Sequence, residues 1–273
     1  MIAFAGNSLL CRAALKQTTV DAATFTFVRI FSGAAALWLI VTMRHPSALA
    51  DDRRIHGNWL SALALFAYAA AFSFAYVDLS AGTGALLLFG AVQATMILWG
   101  LHKGERLDAL QIVGFTVAVS GLIVLLFPSL SAPPLIGSIL MLGAGVAWGI
   151  YSLRGKGEKN PANVTTGNFV RAVPLAAAVS IVSVHWVHID LTGVSYAMIS
   201  GAITSGLGYV IWYSALQDLK AASAATVQLS VPVLAATGGI LLLGEPLTSR
   251  YLLASIAILG GIALVVLEKN RAL

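Results

Sequence analysis

Asp78-Leu79-Ser80-Ala81-Gly82-Thr83-Gly84-Ala85 returns as Asp218-Leu219-Lys220-Ala221-Ala222-Ser223-Ala224-Ala225, an offset of 140 residues. The same offset runs without a gap through Leu101/Leu241, Gly104-Glu105/Gly244-Glu245, Leu107/Leu247 and Gly121/Gly261. A chain of 273 residues that repeats itself at about half its length, in apolar sequence, encodes two copies of one membrane unit. Two such copies around a midplane site are the plan of many secondary transporters.

Composition supports a membrane protein. The chain is 59% hydrophobic and only 10% charged, whereas soluble domains carry about 25% charged residues. One large soluble core would still need a polar exterior that this sequence cannot supply. The single Cys11 excludes an intrachain disulfide and matches no metal or redox spacing. A net charge of +5 would suggest nucleic acid in a soluble protein; here it fits basic cytoplasmic loops. The expected partners are therefore the lipid bilayer and a small-molecule substrate, with no nucleic acid, for a monomer or weak homodimer. No Gly-rich phosphate loop stands in a strand-to-helix context, so neither ATP-driven transport nor any other cofactor or metal is expected.

A crossing needs about 20 apolar residues, and ten runs qualify or nearly so: roughly 1–15, 21–43, 59–78, 82–101, 108–127, 134–153, 165–187, 194–216, 222–243 and 249–267. The fold class is thus an all-α membrane protein with ten transmembrane helices. The first run is short, but a cleavable signal peptide does not fit, because no basic stretch precedes it and Asn7 interrupts it. With a cytoplasmic N-terminus, eleven lysines and arginines fall on the inner side and three (Arg12, Lys16, Arg250) on the outer. Both termini should therefore be cytoplasmic. Five spans per half make the second copy enter from the opposite face, giving two inverted five-helix repeats, residues 1–130 and 131–273. The Asn163-Val164-Thr165 sequon falls in an inner loop and carries no weight.

Beyond the gapless stretch, Phe27-Val28-Arg29 corresponds to Phe169-Val170-Arg171, and Phe4-Ala5-Gly6-Asn7-Ser8 to Trp148-Gly149-Ile150-Tyr151-Ser152. Ten spans in two units, Phe-Val-Arg in the second span of each and Gly-Glu before the last, resemble the drug/metabolite transporter superfamily, EamA type. The resemblance covers essentially the whole chain. It implies a cavity lined by spans one to four and six to nine, with five and ten peripheral. It also implies export or exchange of small metabolites such as amino acids, from the bacterial inner (plasma) membrane.

Two arginines sit inside spans, at about 2.5–3.5 kcal/mol each for a helix centre. By the helical rise, Arg29 lies about 4–5 Å to the outer side of its span's middle and Arg171 about 7 Å to the inner side of its own. They either bind an anionic group such as a substrate carboxylate or tie helix ends together. Sidedness then predicts Arg29 paired with Glu245 and Arg171 with Glu105, as outer and inner latches. No Asp, Glu or His falls near mid-span, which favours a facilitator over a proton-coupled pump.

Asn7, Tyr68, Gln93, Tyr209, Trp212 and Gln228 are the polar groups near the midplane, and should face each other or a wet cavity. Gln93 has Val233 as its counterpart, an asymmetry suited to an asymmetric ligand; helix-to-helix bonding is the alternative. Tyr76, Trp148 and Tyr151 lie nearer the interfaces, in an aromatic belt or a substrate path. Pro174 and Pro232 are candidate hinges or static kinks. Gly143, Gly145, Gly201, Ser205, Gly208, Gly238, Gly239, Gly260 and Gly261 read as close-packing positions. The competing functions are polyspecific drug efflux, a membrane-embedded enzyme and a non-transporting scaffold or sensor. An enzyme would need paired acids, a His cluster or a metal set, and the sequence offers none.

Overall fold

Helices follow one another through the described residues of the computed structural model, which are 1–44, 56–104, 107–127, 132–158, 160–218 and 227–269. No strand occurs among the described residues. The helices are α1 (Ile2–Gln17), α2 (Ala22–Arg44), α3 (Trp59–Ala75), α4 (Ala81–His102), α5 (Ala109–Leu126), α6 (Leu135–Gly155) and α7 (Pro161–Val182). After a short turn of helix at Val184–Trp186, α8 runs through three consecutive stretches, Leu191–Ile199, Ser200–Leu207 and Gly208–Asp218. Then come α9 (Ser230–Leu243) and α10 (Ser249–Lys269).

Local chemistry explains where the helices start and stop. Asn58, Ser80, Asp108, Asn160 and Asp190 each accept the backbone N–H three residues on, satisfying a donor the helix cannot. Asp108 and Gln111 bond reciprocally, closing a capping box. Asp21 opens α2 in the same way, accepting from the Thr24 amide and hydroxyl, and also receives His188 N–H from the loop before α8. Burial pushes the Asp21 carboxyl up, but these hydrogen bonds outweigh it and hold it below the usual carboxylate range. At the other ends, Gly104 and Gly244 take φ of +91° and +62°, the left-handed region that stops a helix and that side chains resist. Each glycine thus turns the chain out of a helix, and at the second one Glu245 follows directly.

Seven helices are long and apolar enough to cross a membrane, among the described residues. That is fewer than the ten expected from hydropathy. Regular winding covers only 16 residues in α1, 17 in α3 and 14 in α9. In α9 the cause is Pro232. It has no N–H for the Gln228 carbonyl one turn back, and the helical run breaks at Leu229. Pro232 therefore lies in the first turn of α9 rather than in mid-helix. Pro174 is different, since α7 continues through it to Val182.

The packing interleaves the two halves. α1 packs on α8 and α9; α6 packs on α3 and α4; α2 lies against both α7 and α8, and α3 also meets α7. α5 and α10 pack chiefly on each other, to one side of the rest. Small residues set the closest approaches. A Cβ on Gly145 would lie 2.5 Å from the Leu88 carbonyl, and one on Gly114 2.6 Å from the Gly261 carbonyl. Gly143 and Gly260 face nothing within 4 Å, so they are not packing positions. Leu241, Leu253 and Ile256 are among many large apolar side chains turned outward, as a lipid-facing surface requires.

Candidate functional site

α1, α2, α3 and α8 meet around one buried arginine. Arg29, 2% exposed, projects from α2 and donates from Nη2 to Tyr68 Oη at 2.9 Å and Tyr209 Oη at 3.3 Å. Its Nε donates to Ser205 Oγ at 3.2 Å. Asn7 on α1 donates to the same Tyr68 hydroxyl at 3.1 Å, and its Oδ1 accepts from Ser200 at 2.5 Å; Thr204 Oγ1, which donates to the Ser200 carbonyl at 2.8 Å, lies 3.4 Å from that oxygen. Arg29 also lies over two rings, with Cζ 4.8 Å from the centre of Phe72 and 5.2 Å from that of Tyr68. Every partner is neutral, and no described carboxylate forms an ion pair with it. Its Nη1 is buried without a hydrogen bond.

Ser200, Thr204 and Ser205 come from the middle stretch of α8, Ser200–Leu207, which is wound as a π-helix. Such winding is rare and is frequent at functional sites. Here it places Ser200 and Thr204 at Asn7 while Ser205 and Tyr209 reach Arg29. Gly201 lets α8 close on α2, since any Cβ there would overlap the Arg29 carbonyl and the Ser32 hydroxyl.

Aromatic rings cover this cluster. Phe4 sits at the hub, 5.7–6.4 Å from Phe89, Trp148, Tyr209 and Trp212. The Trp148 ring lies tilted against two others, its centre 4.7 Å from that of Tyr209 and 4.9 Å from that of Tyr68. Trp148 and Tyr151, placed near the interfaces by the sequence reading, are both 3% exposed, inside the bundle. Trp212 is also buried there, with its Nε1 unpartnered. The centre is closely filled in this conformation, not an open wet cavity.

Open space lies instead at the two ends. A cavity of about 150 Å³, enough for a small organic molecule, is lined by Asp78, Ser80, Thr83, Glu245, Thr248 and Tyr251. At the opposite end Asn58, Ser61, Tyr151, Arg154, Asn168 and Tyr213 line a cleft of only about 10 Å³. Arg12 and Glu245 bond beside the larger cavity, Nε to Oε1 at 3.1 Å. Arg12 Nη1 donates to the Tyr76 and Val77 carbonyls at 2.9 and 2.7 Å, and Glu245 Oε2 accepts Ala81 N–H at 2.8 Å. One ion pair therefore joins α1, the α3–α4 turn and the segment after α9. At the other end Arg154 donates to Ser61 Oγ at 2.9 Å and Asn58 Oδ1 at 3.1 Å.

These contacts correct the expected pairing. Glu245 binds Arg12, not Arg29, because Arg12 sits at the level of the α3–α4 turn while Arg29 sits deeper, at the level of Tyr68. Glu105 lies outside the described residues; Arg171 donates to the Gly167 and His56 carbonyls. Gln93 and Gln228 bond each other at 3.4 Å across α4 and the start of α9, and neither bonds to the Arg29 cluster. Tyr76 is fully buried, its hydroxyl on the Ala81 carbonyl, a closing element of the turn rather than a belt residue. Phe4, Arg12, Phe72, Ser200, Thr204 and Ser205 were not foreseen. A run of small polar residues from Ser200 to Ser205 in mid-span was the available signal, and for Ser205 it was read as packing.

Comparisons with known proteins agree with this architecture. A family model described as the EamA-like transporter family matches residues 135–267. An uncharacterized protein of Pseudomonas aeruginosa is 55% identical over 265 residues, covering 97% of this chain and 91% of that one. The threonine/homoserine exporter RhtA of Salmonella typhimurium is 35% identical over 132 residues, 46% of this chain and 43% of its own. A solved crystal structure aligns with a TM-score of 0.67 at 17% identity, covering 99% of this chain and 98% of that one, which shows a shared fold.

Proposed function

The chain belongs to the EamA-like transporter family of the drug/metabolite transporter superfamily, a family of transporters and not of enzymes. From that premise we propose that it exports small metabolites, amino acids or related compounds, across the bacterial plasma membrane by alternating access. One observation carries the reading: a buried polar cluster centred on Arg29 lies between two clefts at opposite ends of the bundle. Each cleft is bridged by an arginine, Arg12 to Glu245 at one end and Arg154 to Ser61 and Asn58 at the other. Opening one end while the other stays bridged is what alternating access requires.

The packing supports two inverted five-helix repeats, residues 1–130 and 131–273. Exchanging each helix for its counterpart in the other half turns α1·α9 into α6·α4, α1·α8 into α6·α3, and α2·α8 into α7·α3, and all of these contacts occur. α2·α7, α4·α9 and α5·α10 map onto themselves. The ten helical rods would then be ten spans, with both termini cytoplasmic by the lysine and arginine bias. Asn7, Tyr68, Tyr209, Trp148 and Trp212 form the substrate region, Tyr151 the path from the narrower cleft, and Gln93 and Gln228 a helix-joining pair. Pro232 is the better hinge candidate, because the helix already breaks beside it. No described carboxylate bonds to the Arg29 cluster, which favours a facilitator over proton coupling.

Proteoliposomes test this. Counterflow of at least one labelled amino acid from a broad panel is expected, with or without a pH gradient. Strict dependence on the gradient would overturn the facilitator reading, and no flux of any compound would overturn the carrier reading.

A further inference from the structure

The Arg29 cluster holds more hydrogen-bond donors than acceptors. Tyr68 Oη accepts from Asn7 and from Arg29 and shares a contact with Tyr209 Oη, which also accepts from Arg29. The two tyrosine hydroxyls, joined by one contact, use one of their two protons, so one O–H has no acceptor within the cluster. Asn7 Oδ1 accepts from Ser200, with Thr204 Oγ1 3.4 Å away, and receives no bond from either tyrosine. Arg29 Nη1 adds N–H groups that meet no acceptor at all. A guanidinium held 2% exposed with only neutral partners is a costly arrangement, since a buried charge normally requires an opposite one. The missing component is an anion with two acceptor atoms.

We propose that Arg29 is the receptor for a substrate carboxylate, so that the transported class is carboxylates and, within it, amino acids whose carboxyl is free. The inference rests on the carrier reading above. One carboxylate oxygen takes Nη1 and the other takes the surplus hydroxyl proton, while Nη2 and Nε stay on Tyr68, Tyr209 and Ser205 and hold the guanidinium plane in place. Phe72, over the cation, prevents a second anion or bulk water from replacing the substrate on that side. Admission requires the Phe4–Trp148–Tyr209 rings to part, which makes Tyr209 both ligand and lid.

The test compares acids with their neutral isosteres on wild-type protein in proteoliposomes and needs no variant to fold. Each transported amino acid is competed with itself, its amide and its decarboxylated amine. Loss of a hydrogen bond to a charged partner predicts competition weaker by about 10- to 100-fold for the amide and amine. Arg29→Lys should retain the preference with lower affinity, and Arg29→Gln, where it folds, should abolish it. If amides or amines compete as well as the acids, the inference falls while the carrier reading stands. If neither acids nor neutral compounds are carried, the carrier reading falls and the inference with it.

Discussion

Replacing Glu245 with glutamine probes the closure of the larger cleft. The wild-type carboxylate, 6% exposed, accepts from both Arg12 Nε and Ala81 N–H. Glutamine keeps the shape but turns one of its two positions into a donor, facing either Arg12 or Ala81. The lost charged hydrogen bond is worth about 1.5–3 kcal/mol, toward the lower end because Arg12 keeps the Tyr76 and Val77 carbonyls and some exposure to solvent. At 1.4 kcal/mol per decade, the opened population should rise by about 10- to 100-fold. Cys11, the only cysteine, precedes Arg12 in α1 and is 0% exposed. Its modification by a maleimide therefore reports opening of this end without any engineered label, and its rate should rise by the same factor. Arg12→Gln should act in the same direction, and the double variant should be little worse than either alone. A folded Glu245→Gln protein whose Cys11 reacts at the wild-type rate would refute the reasoning.

Gly201→Ala should destabilise the protein by about 1–3 kcal/mol, because the new methyl overlaps the Arg29 carbonyl and α2 must move away from α8. Thermal unfolding followed by tryptophan fluorescence measures this, and transport should fall with it. The depressed Asp21 carboxyl adds stability that is full above its unfolded value near 3.8 and is lost as pH falls through the lower folded value. Melting temperature between pH 6 and pH 3 should thus decline more steeply for wild type than for Asp21→Asn.

Particular residues show how far the sequence could be read. The Gly104-Glu105 and Gly244-Glu245 repeat was legible in the sequence as lying before the last span of each half, while the left-handed turn of each glycine just past a helix end came from the structure. Arg29 was identified as a charge needing compensation, since charge in an apolar run is visible without coordinates. Its partners were not, because Ser205 and Tyr209 lie 176 and 180 residues away. Gln93 looked like a ligand group by its asymmetry, yet its partner across the bundle is Gln228.

Hydropathy is a one-dimensional property, and from it the chain alone determined an all-helical membrane protein. Which side chains meet depends on the depth and rotation of each helix. A residue advances by about 100° around an α-helix, so the π-winding of Ser200–Leu207 redirects everything after it. Only the tertiary structure could therefore decide that Arg12 closes on Glu245 and that Arg29 is left among neutral groups.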